Sequence, residues 1–309
     1  MTQGPDDDVT VEDTDQRGDR EGAQHTDDAG RTAGGADADG GADPGTDADD
    51  TGHADDAAQG SAAERLLVEM VLAAPADVAW AALRDPDTIR RWFGWDDDGL
   101  GAEIHEIFAE QATADDDART LTWSDGDRIT VQEEAPGQSR LRLVRRGHGA
   151  WDGVHDVIDE GWITFTQQLR FLLERHRDDE RRTVLAAGLD LGADDDALLD
   201  RLGLRSLGDD AVGSRYSVTR PDGSTITGEV FFQTDLQIGL TVEEEDDALL
   251  VVSRTPPASA PPHGTVTFLL SLFGETATDE ERRAAAEQRW RSWWDGSPAG
   301  DGPGDPDAG

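Results

Sequence analysis

The chain has 309 residues, no cysteine and no lysine, with 68 acidic residues against 27 arginines and a formal net charge of −41. That charge repels phosphate backbones and anionic lipid surfaces, which argues against nucleic-acid partners and against membrane binding. Without cysteine there is no disulfide, no thiolate nucleophile and no Cys-based metal site.

The charge is not confined to one segment. Residues 1–60 hold 18 acidic residues and 3 Arg, a net of −15, which leaves −26 for the remaining 249 residues. Residues 1–62 are otherwise mostly Gly, Ala and Thr, with no aromatic residue and branched apolar side chains only at Val9 and Val11. Such a segment cannot bury enough apolar surface to offset chain entropy, so a disordered acidic tail is predicted. No basic start followed by an apolar run marks a signal peptide, and no stretch is long and apolar enough to span a bilayer. A soluble, cytoplasmic protein is expected.

The ordered part begins with Glu64–Ala74, where Leu66, Val68 and Met70 alternate with their neighbours as in a strand with one buried face. Pro75 and Asp77 suit the first turn of a short helix. Asp85 and Pro86 then form an N-cap and first helical position for a second brief helix that ends at Trp92-Phe93. Four strands are predicted next, at 102–108, 119–124, 127–134 and 139–146, with an Asp-Gly hairpin signal between the second and third. From Asp159 to His176, Trp162, Phe165, Leu169, Leu172, Leu173 and His176 recur at helical steps, while Thr164, Gln167, Gln168, Arg170, Glu174 and Arg175 fall mostly on other sides. This long helix is predicted to lie on the concave face of the antiparallel sheet, the large apolar surface available to it.

"APADVAWAALRDPDTIRRWFGW", "RLRLVRRGHG" and "DEGWITFTQQLRFLLERH", in that order, resemble the helix-grip fold of the START-like superfamily of polyketide cyclases and lipid-transfer proteins. Within it they look most like the family of activator of Hsp90 ATPase homologue 1. The turn before the long helix reads Arg-Gly-His-Gly, a departure from the His-x-Gly-Phe-like turn of that pattern. The resemblance implies an α+β chain in which a curved antiparallel sheet wraps around a long C-terminal helix, over residues 63–178. It also implies a protein with a cavity for a hydrophobic ligand, or one that meets a client or chaperone in a stress response.

Residues 179–297 read as strand, short helix at 194–203, further strands, and a last helix opened by a Thr278/Glu281 capping box, with Ala286, Trp290, Trp293 and Trp294 on one face. This is either a second, degenerate helix-grip-like domain or a family-specific extension packed on the first. Residues 298–309 read as a second disordered tail.

Trp80, Trp92, Phe93, Trp95, Trp123, Trp162, Phe165 and Leu169 are the candidate cavity residues, with ordinary core packing as the alternative for each. The seven histidines show no metal-ligand spacing, and Glu103 and Glu106 beside His105 read as the solvated face of a strand. The Asp runs at 96–98, 115–117 and 194–196 lack the closing Glu of a calcium loop. No phosphate-binding Gly loop, nucleophile elbow or acid–base pair is evident, so no catalytic residue, cofactor or metal is assigned. The preferred reading is a non-catalytic binding protein whose partner is a hydrophobic small molecule or another protein; the alternative is a polyketide cyclase-type enzyme using the same cavity. Oligomeric state is not readable from the sequence.

Overall fold

The alternation of Val68, Met70 and Leu72 builds β1 (Glu64–Leu72), whose antiparallel partner β5 (Gln138–Arg146) starts 74 residues further on; Leu66, expected on the same buried face, is exposed because the register slips after it. Between them lie α1 (Ala76–Ala82), α2 (Pro86–Ile89), α3 (Leu100–His105), and strands β2 (Ala112–Asp115), β3 (Thr120–Trp123) and β4 (Arg128–Ala135). The sheet order is β1-β5-β4-β3-β2, so the first strand pairs with the last and the rest follow in sequence. Register slips between Leu66 and Val68 and between Glu133 and Ala135 are bulges of the kind that bend a sheet. The computed structural model describes residues 64–146, 156–189, 204, 211–219, 223–261 and 264–295. The tails expected at 1–62 and 298–309 and the helix expected at 194–203 lie outside the described residues, and so do His25, His53, His148, His155 and His263.

Local chemistry fixes the helix starts. The Asp85 carboxylate accepts from the backbone N–H of Thr88 at 3.2 Å, with Pro86 at the first helical position, as the sequence suggests. Asp156 caps α4 (Val157–Arg175) by accepting from the backbone of Ile158 at 2.9 Å and of Asp159 at 3.3 Å. One expected strand is a helix instead: residues 102–108 belong to α3 and to a turn of π-helix, Glu106–Glu110. Leu100, Ile104 and Phe108 are its buried side chains, a four-residue spacing that outweighs the apparent alternation.

After α4 the chain builds a second antiparallel sheet from β6 (Arg182–Leu189), β7 (Arg215–Thr219), β8 (Thr225–Gln233), β9 (Gln237–Val242), β10 (Ala248–Thr255) and β11 (Thr265–Leu272). Its order, β6-β11-β10-β9-β8-β7, repeats the closure of the first: first strand beside last, the rest in sequence. Two helices follow, α5 (Gly274–Thr278) and α6 (Glu280–Asp295). The cap of α6 is Asp279, which accepts from the backbone of Arg282 at 2.9 Å, rather than the expected Thr278. Thr278 instead gives its hydroxyl proton to the carbonyl of Gly274 inside α5, because a separate short helix occupies that turn. Ala286 and Trp290 are fully buried, packed with Phe268, Leu270 and Leu272. The architecture is α+β, two helix-grip modules in succession.

The second sheet is apolar on both faces, which explains the unbroken run Leu249–Val252. Leu250, Val252, Phe268 and Leu270 join the cluster that includes Trp290 of α6. Leu249, Val251, Phe231 and Phe232 join the core of the first module. Helix α4 therefore lies between two sheets, and the side away from its apolar stripe is covered as well. Thr164, Thr166 and Gln168 are buried along with Leu169, Leu172 and Leu173.

Candidate functional site

The core closes under the C-terminal half of α4 and stays hollow beside the N-terminal half. Leu169, Phe171 and Leu172 are fully buried, and Phe171 stacks edge-on against Phe231 at 5.1 Å. Toward the helix start, a cavity of about 610 Å³ opens between α4, the loop after α2, α3 with its π-turn, the β3–β4 turn and the facing strands β6, β10 and β11. Both modules contribute to it: Val251, Ser253, Thr267 and Leu269 come from the second sheet. These residues alternate in β10 and β11 with the side chains facing α6, so strand pleat alone puts them in the wall.

Five of the sequence-expected residues, Phe93, Trp95, Trp123, Trp162 and Phe165, line this cavity. Phe93 lies 4.6 Å from Phe165, and Trp123 lies 5.3 Å from Trp162, ring centre to ring centre. Trp123 is anchored by its indole N–H, which donates to the Ile107 carbonyl of the π-turn at 2.9 Å. Trp95 is 42% exposed and stands with Val157 and Ile158 as the apolar rim. The other three are elsewhere. Trp92 is fully buried in the core, donating to the Ala82 carbonyl at 3.0 Å; Leu169 is core; and Trp80 is half-buried with its indole N–H on Asp116.

The polar wall was not visible as a site in the sequence. Arg145 is buried and paired with Asp127 and, at 2.9 Å, with Asp159; Arg65 pairs with the other Asp159 oxygen. The inward alternation Ser139, Leu141, Leu143, Arg145 is the signal that could have found it. Glu103, expected on a solvated strand face, lines the cavity from α3. Partial burial, and then the nearby carboxylates of Asp97 and Glu106, hold its carboxyl above the ordinary range. Glu160 and Asp125 complete the acidic lining, with the Gln237 amide donating to Glu160 at 2.6 Å and the Asp127 backbone donating to Asp125 at 3.0 Å.

The rim is held by a buried cation. Arg181 donates to the carbonyls of Phe93 at 2.7 Å, Gly94 at 3.0 Å and Arg90 at 3.2 Å, and also to Gln168 of α4. Burial pushes its guanidinium down to about 10. Asp96 and Thr183 exchange two hydrogen bonds, 2.7 and 2.8 Å, joining the same loop to β6. His176 is a satisfied core residue: it bonds Asp179 and the Asp247 carbonyl and stacks on Phe273 at 4.3 Å. Among the described residues no group of three or more His, Asp or Glu is arranged to hold a metal ion, and no helix is long and apolar enough to cross a membrane.

No protein-family model matches the chain, and no curated protein matches it. Among solved structures it is similar to the di-domain ARO/CYC BexL from the BE-7585A biosynthetic pathway, with 14% identity, 76% of this chain and 97% of that one covered, and a TM-score of 0.29. It is also similar to the di-domain ARO/CYC StfQ from the steffimycin pathway, with 12% identity, coverage of 74% and 94%, and a TM-score of 0.29. A third is DynU16 from the dynemicin biosynthetic locus, with 17% identity, coverage of 74% and 94%, and a TM-score of 0.26. Superpositions this loose say nothing of function. The architecture rests on the chain's own strand orders: two helix-grip modules, each closed by pairing its first strand with its last.

Proposed function

We propose that the chain binds a hydrophobic small molecule, with an aromatic body, in the cavity beside the N-terminal half of α4. The observation that carries this reading is a cavity of about 610 Å³ lined by Phe93, Trp95, Trp123, Trp162 and Phe165, within the size range of small-molecule sites. A ligand bound only by the folded protein raises its melting temperature by mass action, about 2.7 kcal/mol of stability at a hundredfold excess over the dissociation constant. Polycyclic aromatic ligands should therefore shift the melting transition and change indole fluorescence with the same midpoint. A panel of such ligands that moves neither signal would remove the reading and leave a protein partner at the Trp95, Val157 and Ile158 rim as the better candidate.

One observation favours a second reading, a cyclase-type enzyme acting on a polyketide-like substrate in the same cavity. Glu103 combines a raised pKa with a place in the cavity wall, the combination expected of a group that exchanges protons with a bound ligand. The two readings separate on recovery of the ligand: binding returns it intact, whereas catalysis returns it chemically altered and loses rate in Glu103→Gln.

A further inference from the structure

The charges of the cavity wall are unequal once its ion pairs are matched. Arg145 is the one basic side chain among the described lining residues, and it is taken up by Asp127 and Asp159. With Arg65 on the second Asp159 oxygen, those four groups sum to zero. Glu103, Asp125 and Glu160 remain, and no basic side chain among the described residues pairs with any of them. They face the same hollow as Trp123 and Trp162, whose ring faces carry the negative side of the aromatic quadrupole and attract cations.

A charged group leaving water for such a site must be compensated there. An ammonium finds three carboxylates and two indoles, whereas a carboxylate finds only repulsion, since the sole guanidinium is already engaged. We infer that the cavity takes a ligand whose apolar aromatic body carries a basic amine, and that it rejects the matching carboxylate. This rests on the small-molecule reading above and adds the ligand's charge to it. It also sets this cavity apart from one built for fatty acids, where a free cation would be required at the polar end.

The test uses three compounds of one shape on the full chain: 9-anthracenemethylamine, 9-anthracenemethanol and 9-anthracenecarboxylate, followed by anthracene anisotropy and calorimetry. The amine should bind tightest and the carboxylate weakest, with a ratio of at least about tenfold at low ionic strength. The chain's overall charge also favours cations, so cavity substitutions must carry the proof. Glu103→Gln combined with Glu160→Gln should collapse the amine-to-carboxylate ratio several-fold, with each affinity read against that of the alcohol for the same variant. Glu133→Gln, exposed on β4, should leave the ratio unchanged. Carboxylate binding equal to or tighter than amine binding overturns the inference, as does a ratio that survives the double substitution. Absence of binding by all three compounds instead overturns the small-molecule reading on which it rests.

Discussion

Replacing Arg145 with Met should be among the most damaging single changes in the first module, although Met fills similar space. The guanidinium side chain is 3% exposed, and its partners Asp127 and Asp159 are 10% and 8% exposed. In Arg145→Met, Asp159 keeps Arg65, whereas Asp127 loses the guanidinium paired with it and keeps the backbone N–H of Arg146, at 2.7 Å. A buried carboxylate stripped of its cation costs about 3–5 kcal/mol, far more than an intact buried pair contributes. Urea denaturation at pH 7 measures this directly, and adding Asp127→Asn should restore most of the loss. Arg140→Met, which breaks pairs with Glu69 and Glu134 on the outer face of the same strand, should have a much smaller effect. If Arg145→Met and Arg140→Met prove equally mild at pH 7, charge compensation at the cavity wall is not what holds this strand end.

Other substitutions test the remaining parts. Leu169→Ala should cost roughly 2–5 kcal/mol in denaturation experiments, since the side chain is fully buried where the core is closed. Arg181→Met should cost on the order of 2 kcal/mol net: two buried carbonyls lose their donor at about 1–3 kcal/mol each, partly offset by removal of a buried cation. It should also weaken ligand binding, because the Phe93–Trp95 rim loses its clamp. Glu103→Gln should melt higher than the parent protein at neutral pH. Its raised folded pKa means that the carboxylate's penalty is present at neutral pH and disappears as pH falls through that raised value toward the ordinary 4.5, so the two melting curves should converge in acid. An opposite sign would show that Glu103 has a stabilising partner.

The parts of the fold legible in the sequence were those specified locally. Alternation in 68–72 and 139–146, the Asp85-Pro86 cap and the apolar stripe of α4 each act within one element, and each reads directly from residue spacing. Residues 102–108 misled because Ile104 and Phe108 fit both an alternating and a four-residue spacing, and only packing of Leu100, Ile104 and Phe108 decides between them. The burial of the other side of α4 was not legible, for a different reason. Thr164 and Gln168 are buried because Gln237 and Ser271 of the second sheet meet them, at 2.8 and 3.2 Å, across 73 and 103 residues of chain. No local pattern encodes such a partner. The cavity follows the same rule: its aromatic half was legible as a concentration of indoles, but the wall from β10 and β11 and the matched charges around Arg145 exist only once the two sheets are brought together.

The central claim is that one cavity, roofed by α4 and backed by the second sheet, is the binding site. Thr267 lines it from β11 and lies remote in sequence from every aromatic residue of the first module. Calorimetric titration of 9-anthracenemethanol into the parent protein and into Thr267→Trp, with melting curves to confirm that both are folded, tests the claim most directly. Saturable binding by the parent and its loss in a folded Thr267→Trp are the expected result; binding of equal affinity by both would contradict it.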